Sequence, residues 1–175
     1  MHLYDIDPGT KEEMNVIIEV PKGSSNKYEL DKDTGLIALD RANYSSAPYP
    51  CEYGFVPRTL ADDGDALDVL VLATYPLLPG VLVKARPVAF MDMVDTGEAD
   101  PKVIVVPVHD KRWDDVQDLK DINQHTLREL KHFFETYKHL KGEDASKYKV
   151  EIPGFKGKAE AEAAFEKAVA AYQAK

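Results

Sequence analysis

Cysteine is nearly absent from this chain, since Cys51 is the only one among its 175 residues. An intramolecular disulfide is therefore impossible, and a fold stabilised by disulfides is excluded. The first residues, MHLYDIDPGTKEE, also lack the basic start and the apolar stretch of a signal peptide. Both absences lead us to expect a cytoplasmic protein.

Long apolar runs and excess positive charge are absent as well. The longest apolar stretch, from Val69 to Val83, is interrupted by Pro76, Pro79 and Gly80, and a membrane span needs about 18 residues. Lys and Arg number 22 against 31 Asp and Glu, which gives a formal net charge of −9. We therefore expect neither membrane nor nucleic-acid binding. A small polyanionic substrate stays possible, because a bound metal inverts the local field.

What the chain does have is a dense acidic run, DDGDALD, at positions 62–68, directly before the apolar residues 69–72. Two unit charges about 4 Å apart interact by about 4 kcal/mol at an effective dielectric of about 20, so such a cluster favours a bound cation. Mg²⁺ and Ca²⁺ prefer oxygen ligands of this kind. A solvated turn with its bend at Gly64 would give the same pattern, and this segment alone leaves both interpretations open.

The spacing of apolar residues predicts a single domain over 1–175 with an α+β fold. Short strand-like segments occupy the first two thirds of the chain, at 14–20, 27–30, 36–39, 53–56, 68–74, 81–93 and 102–108. Helical spacing follows from Leu127 to Leu140, with Asp121 or Asn123 as the N-cap, and again over 158–174. We predict a small antiparallel β-barrel or sandwich with two C-terminal helices packed against it.

Further charged and phenolic groups occur at strand ends and on the first helix. Asp95, Glu98 and Asp100 form a second acidic cluster, and alternation along a strand places Lys102 on the same side as Asp100. Lys27 and Glu29 are related in the same way. Arg and Lys bind phosphoryl oxygens, and Tyr is a neutral donor, so the set suits phosphate chemistry. The remaining candidates are Glu19, Arg41, Tyr49, Tyr53, Tyr137 and Lys138. Each also has an ordinary structural interpretation: Tyr137 continues an apolar stripe, and Lys138 is a typical solvated lysine.

Taken together, these segments resemble the family I soluble inorganic pyrophosphatases. The run DGDALDVL fits the family signature D-x-D-x-x-D, and matching blocks lie in the same order over residues 14 to 160. These blocks are VIIEVPKGSSNKYELD, GLIALDR, YPCEYGFVPRTL, MVDTGEADPK and FFETYKHLKG. The short length is similar to that of the prokaryotic branch. The resemblance implies a five-stranded OB-like barrel and a homo-oligomer, commonly a hexamer.

The resemblance also implies an activity, the hydrolysis of inorganic diphosphate to two orthophosphates, and a role for each matching residue. Three to four Mg²⁺ ions per site are expected, with Mn²⁺ as a possible substitute, and Asp65 would hold or deprotonate the attacking water. The implied metal ligands are Asp63, Asp68, Asp95, Asp100 and Glu29, with Asp68 bridging two ions. The implied diphosphate ligands are Lys27, Arg41, Tyr53, Lys102, Tyr137 and Lys138. Glu19 and Tyr49 would support the site. Thr96 departs from the second acid that relatives often have after Asp95, and Glu98 could compensate.

Three other functions fit parts of the pattern. A non-catalytic calcium-binding module is opposed by Leu67 and Thr74, which stand where an EF-hand needs an acid or Asn and a Glu. A nucleic-acid-binding OB-type barrel is opposed by the acidic charge. A two-metal phosphoesterase that acts on organic phosphates would need a base or sugar pocket, for which the sequence offers no obvious residues.

Overall fold

Five strands of the chain close into a ring. The computed structural model describes residues 2–175. The ring strands are β1 (Met14–Val20), β4 (Glu52–Val56), β5 (Leu67–Val71), β6 (Leu82–Asp95) and β8 (Lys102–Pro107). They pair in the order β1–β4–β5–β8–β6, and β6 pairs back to β1. The predicted five-stranded barrel is confirmed.

The barrel is mixed, and the prediction of a wholly antiparallel one is wrong at a single pair. Strands β5 and β8 run parallel, with Leu70 opposite Ile104, whereas the other four pairings of the ring are antiparallel. A ring with an odd number of members cannot alternate direction all the way round. Closure of five strands therefore requires at least one parallel pair, and the β6 strand with its turn supplies the long connection that such a pair needs.

Two further strands extend the sheet beyond the ring. Strand β7 (Glu98–Ala99) pairs with the end of β6 after the turn at Thr96 and Gly97. Strand β9 (Val150–Lys156) pairs with the second half of β6 and was not predicted from the sequence. It contains Pro153 and Gly154, which weaken a strand pattern, but Pro is tolerated on a strand with one neighbour.

A separate hairpin lies beside the barrel. It consists of β2 (Asn26–Leu30) and β3 (Ile37–Ala42), which pair antiparallel. The turn between them is held by Asp31, whose Oδ1 accepts hydrogen bonds from the Thr34 backbone N–H at 2.7 Å and hydroxyl at 2.6 Å. Gly35 has a φ of 71°, a conformation that favours glycine. The predicted hairpin is confirmed.

The two helices cover opposite faces of the barrel strands. Helix α1 (Gln124–Thr136) begins at the N-cap Asn123, whose side chain accepts a hydrogen bond from His125 N at 2.8 Å. It ends earlier than its apolar spacing predicted, because a 3-10 turn, His139–Lys141, follows Tyr137. Helix α2 is Lys158–Gln173. Other 3-10 turns are Leu3–Asp5, Lys111–Trp113, Leu119–Asp121 and Ala145–Tyr148.

Alternation along the central strands divides the core between these helices. Leu70 and Ile104 pack in the cluster that includes Phe133 and Phe134 of α1. Val69 and Val103, one residue away, pack in the cluster that contains Phe165 of α2. Because both faces are covered, β5 and β8 are almost continuously apolar. Asp68 and Lys102 precede Leu70 and Ile104 by two positions and so share their face. None of the helices described between residues 2 and 175 has both the length and the apolar composition of a membrane span.

Candidate active site

One cavity of about 390 Å³ lies between the hairpin, the acidic loop and the end of α1. Its wall includes all fourteen side chains singled out as site residues in the sequence: Glu19, Lys27, Glu29, Arg41, Tyr49, Tyr53, Asp63, Asp65, Asp68, Asp95, Asp100, Lys102, Tyr137 and Lys138. These residues are far apart in sequence and come from seven strands, from loops between strands, and from the end of α1. Their convergence agrees with the predicted site, while the individual roles stay predictions.

The acidic run forms both a tight turn and the entrance to a buried strand. Asp65 N donates to Asp63 Oδ1 at 3.0 Å, and the bend is completed by Gly64, whose φ is 89°. Asp68 then enters β5 between the buried residues Leu67 and Val69. A turn and a cation site are therefore compatible interpretations of this run, because the turn presents Asp63 and Asp65 to the same cavity as Asp68.

A lysine lies between two carboxylates at the centre of the site. Lys102 Nζ is 2.5 Å from Asp68 Oδ2 and 2.5 Å from Asp100 Oδ1, and only 2% of the residue is exposed. Burial favours the neutral amine, but the two carboxylates outweigh it and raise the pKa of Lys102 to about 12. Tyr53 also donates to Asp68 Oδ2, at 2.5 Å. Burial, with the repulsion of Asp68, raises the pKa of Asp100 in spite of Lys102.

Asp95 is held by two donors at the end of β6. Its Oδ2 forms an ion pair with Lys138, and its Oδ1 accepts from the Thr96 hydroxyl at 2.9 Å. Burial opposes ionisation, but these hydrogen bonds lower the pKa of Asp95 below its ordinary value. Thr96 has a φ of 53° in the turn between β6 and β7. Glu98 lines an adjoining hollow that shares Asp95 and Lys138, and not the main cavity.

The hairpin contributes the opposite wall. Lys27 pairs with Glu29 on the same face of β2, as alternation predicted, and its Nζ lies 3.4 Å from Asp40. Arg41 Nη1 is 2.6 Å from the same Asp40 carboxylate. Glu19 connects the barrel to this hairpin, since its Oε1 accepts from Leu30 N at 2.7 Å.

Glu19 and the three phenols are buried titratable groups. Burial, strengthened by the charges of Asp68 and Glu29, raises the pKa of Glu19 to about 8. Burial likewise raises the pKa of Tyr49, Tyr53 and Tyr137, so the phenols stay neutral donors. Tyr137 both packs on Phe133, with ring centroids 5.5 Å apart, and lines the cavity, so its packing and functional interpretations hold together.

Two polar residues of the cavity wall were missed in the sequence. Lys32 lies in the hairpin turn, and its Nζ is 2.6 Å from Asp65 Oδ1. Tyr4 comes from the segment before β1 and reaches the cavity beside Phe55. Neither residue belongs to a recognisable motif or to a periodic pattern, and both meet the site through contacts between distant parts of the chain.

The donor set of the cavity fits hard divalent cations. Seven carboxylates line it, and the ammonium group of Lys102 already compensates two of them. Within residues 2–175, no three His, Cys, Asp or Glu side chains are grouped closely enough to hold one ion as they stand. Because Lys102 lies between Asp68 and Asp100, one ion bound by both of these carboxylates would require the lysine to shift. Carboxylate oxygens without Cys or His favour Mg²⁺ and Mn²⁺ over softer metals.

Comparison with known proteins gives a consistent result. A family model described as inorganic pyrophosphatase matches residues 16–173. The inorganic pyrophosphatase of Geobacillus stearothermophilus is 50% identical over 129 residues, which cover 74% of this chain and 78% of that protein. That of Leifsonia xyli subsp. xyli is 49% identical over 148 residues, or 85% and 88% of the two chains.

Solved structures agree in fold as well as in sequence. The crystal structure of inorganic pyrophosphatase from Thermus thermophilus superimposes with a TM-score of 0.94 at 43% identity, and covers 99% of both chains. That from Coxiella burnetii gives 0.90 at 40% identity, over 95% of this chain and 99% of the other. With the family model, the close relatives and the shared fold in agreement, this chain belongs to the inorganic pyrophosphatase family.

Proposed function

We infer that this chain hydrolyses inorganic diphosphate to two orthophosphates. The observation that supports it most is the cavity in which five Asp, two Glu, four cations and three Tyr of the family pattern meet. The family membership and the matching relatives support the same activity. A non-catalytic metal-binding module would not need Lys27, Arg41 and Lys138 directed into the same cavity as the carboxylates.

The cationic side chains would bind the diphosphate. Lys27 and Arg41 approach from the hairpin and share Asp40, while Lys138 approaches from the end of α1. Arg and Lys neutralise phosphoryl oxygens and stabilise charge that develops on a leaving phosphate. Tyr53 and Tyr137 would add neutral hydrogen-bond donors, and Lys102 would contact the diphosphate from the floor of the cavity. Glu19 and Tyr49 would support this wall through packing and hydrogen bonding.

Asp65 is the proposed acceptor of the proton from water. Its side chain is 67% exposed at the mouth of the cavity, and Lys32 Nζ from the hairpin lies 2.6 Å from its carboxylate. The water oxygen would attack one phosphorus atom, its proton would pass to Asp65, and the bridging oxygen would leave with the other phosphate. A positioned general base of this kind contributes about 10²- to 10⁴-fold to the rate.

The family is metal-dependent, and Mg²⁺ is the proposed ion. Asp63, Asp68 and Asp100 would hold the ions nearest the water, while Asp95 and Glu29 would hold others, to a total of three or four. Mn²⁺ would fit the same oxygen ligands. When bound, the metal supplies positive charge that lowers the pKa of water from about 15.7 to about 7 and offsets the charge on diphosphate.

A homo-oligomer, specifically a hexamer, is also proposed. Its support is a group of exposed apolar side chains on two neighbouring segments, here called the apolar patch: Leu36 and Leu39 of the hairpin, and Leu78, Val81 and Leu82 around the start of β6. Leu78 is 74% exposed and Leu36 67% exposed. Side chains of this size are seldom gathered on a free surface. Cytoplasmic location and organisation as one domain over 1–175 are proposed with it.

The decisive experiment is orthophosphate release from diphosphate, measured with Mg²⁺ and with a chelator. Asp65→Asn removes one charge at nearly constant shape and should lower kcat by about a hundredfold or more. Asp62→Asn is the matched control. It removes a neighbouring charge from the same turn, but Asp62 pairs with Lys167 and does not line the cavity. Absence of release by the wild-type protein with every divalent ion would contradict the proposed function.

A further inference from the structure

The segment before β1 folds back onto the catalytic cavity. This N-terminal arm, residues 2–13, precedes the residues matched by the family model. Its 3-10 turn, Leu3–Asp5, packs Leu3 and Ile6 against a small buried cluster of Ile17, Leu30 and Phe55. The arm thereby packs on both the hairpin, through Leu30, and the barrel, through Ile17 and Phe55.

Tyr4 is the residue of the arm that reaches the cavity. Its ring packs on Phe55, with centroids 4.7 Å apart, and the residue lines the cavity together with Asp65 and Glu29. Burial, followed by the charges of Glu19 and Asp65, raises the pKa of the phenol, which therefore stays protonated. Across the part of the chain that the structure describes, residues 2–175, the Tyr4 hydroxyl has no hydrogen-bond partner.

The free hydroxyl distinguishes Tyr4 from the phenol on the floor of the cavity. Tyr53 already donates its proton to Asp68, so that donor is engaged before any ligand arrives. Tyr4 stands instead beside Glu19, Glu29 and Asp65 without donating to any of them. A phenol is neutral, so it adds no charge to a wall of carboxylates. Its O–H can donate a hydrogen bond to an anionic oxygen of a ligand.

We propose that the Tyr4 hydroxyl donates a hydrogen bond to a phosphate oxygen of diphosphate held in the cavity. This proposal rests on the proposed function and adds to it a substrate-contacting residue that lies outside the matched segment. Tyr4 would then be a catalytic residue contributed by the N-terminal arm, in addition to packing the arm against Phe55.

Two substitutions separate the hydroxyl from the ring. Tyr4→Phe removes the oxygen and keeps the packing on Phe55, whereas Tyr4→Ala removes both. Tyr28→Phe is the matched control. Tyr28 is on β2 of the neighbouring hairpin, its oxygen accepts from Asn26 Nδ2 at 3.2 Å, and it does not line the cavity.

The variants are compared by steady-state kinetics with Mg²⁺ and by calorimetric titration with methylene diphosphonate, whose P–C–P bridge resists hydrolysis. Loss of one neutral hydrogen bond should weaken analogue binding and raise KM by about three- to tenfold in Tyr4→Phe. The melting temperature of this variant and the binding by Tyr28→Phe should equal the wild-type values. Tyr4→Ala should lose stability as well.

Analogue binding by Tyr4→Phe equal to that of the wild type would overturn the proposal, even if Tyr4→Ala were impaired, because the ring alone would then matter. A fall in kcat at unchanged analogue affinity would overturn it too, since the hydroxyl would then act on the water. Failure of the proposed function gives a different result, namely no orthophosphate release by the wild type. In that case the titration still compares analogue binding by the wild type and by Tyr4→Phe.

Discussion

Lys102 occupies the position where two aspartates of the site would otherwise repel each other. It is buried between Asp68 and Asp100, and both carboxylates are themselves largely shielded. The lysine ammonium and a divalent ion are therefore alternative sources of positive charge for this pair. The same residue should matter for stability when the metal is absent and for phosphate binding when it is present.

We expect Lys102→Met to destabilise the metal-free protein by about 3 kcal/mol, because removing one member of a buried ion pair leaves the other charges uncompensated. Mg²⁺ should restore much of this loss in the variant. Urea unfolding with a chelator and with Mg²⁺ measures both effects. Lys32→Met is the control, since Lys32 pairs with Asp65 at an exposed position and should change stability little. An equal loss in both conditions would contradict compensation by the metal.

Glu19 predicts a pH dependence of stability in the metal-free protein. Burial raises its pKa from 4.5 to about 8, so the folded state keeps a proton that the unfolded state releases. The contribution of this proton is fully present below about pH 4.5 and is lost as the pH rises through about 8. We expect Glu19→Gln to flatten that part of the stability curve, as measured by urea unfolding with a chelator. The exposed Glu12→Gln should leave the curve unchanged, and a slope that persists in Glu19→Gln would assign it to another group.

At the scale of elements, the β2–β3 hairpin holds two proposed diphosphate ligands, Lys27 and Arg41, yet forms no strand pair with the barrel. It is positioned by the Glu19 hydrogen bond and by the N-terminal arm, which packs on it through the cluster around Leu30. Small disturbances of the arm should therefore alter substrate affinity more than the chemical step.

Gly35→Ala tests this dependence. A Cβ at this position would lie 3.1 Å from the His2 ring, and the φ of 71° would strain any side chain. We expect an increase in KM, a smaller change in kcat, and faster hydrogen exchange over residues 26–42. Gly23→Ala is the matched control, because Gly23 has a φ of 84° but open space around its Cβ. Equal behaviour of the two variants would assign the effect to backbone strain alone.

The sequence predicted most of these elements because their patterns are local. Alternation located seven strands, helical spacing located both helices, and Asn123 was one of two proposed caps. Strand β9 was missed because Pro153 and Gly154 break its pattern, and the early end of α1 because Leu140 continues its apolar spacing. The cavity residues were predicted through the family blocks. Tyr4 and Lys32 belong to none of these blocks, so the sequence did not predict them. Folding brings Tyr4 to Phe55 and Lys32 to Asp65.

At the scale of the whole molecule, the apolar patch predicts self-association. The segments are adjacent, since a Cβ at Gly80 would lie 4.0 Å from Ile37 of the hairpin. We expect the assembly formed by the double variant Leu39→Lys, Leu78→Lys to have a smaller mass than that of the wild type in light scattering. Burial of two lysine charges would destabilise the interface between subunits. Tyr172→Lys changes an exposed residue of α2 and is the control. A wild-type protein that is monomeric at every concentration would contradict the proposed hexamer.

The odd number of barrel strands has a consequence for where chemistry can occur. Because β5 and β8 point the same way, both begin at one rim, with Val69 opposite Val103 and hence Asp68 beside Lys102. An even-membered ring could alternate throughout, and neighbouring strands would then start at opposite rims. Over the five residues of β5 that would separate the two acidic segments by about 13 Å. The odd number of strands in the ring therefore places carboxylates that are distant in sequence at the same end of the barrel.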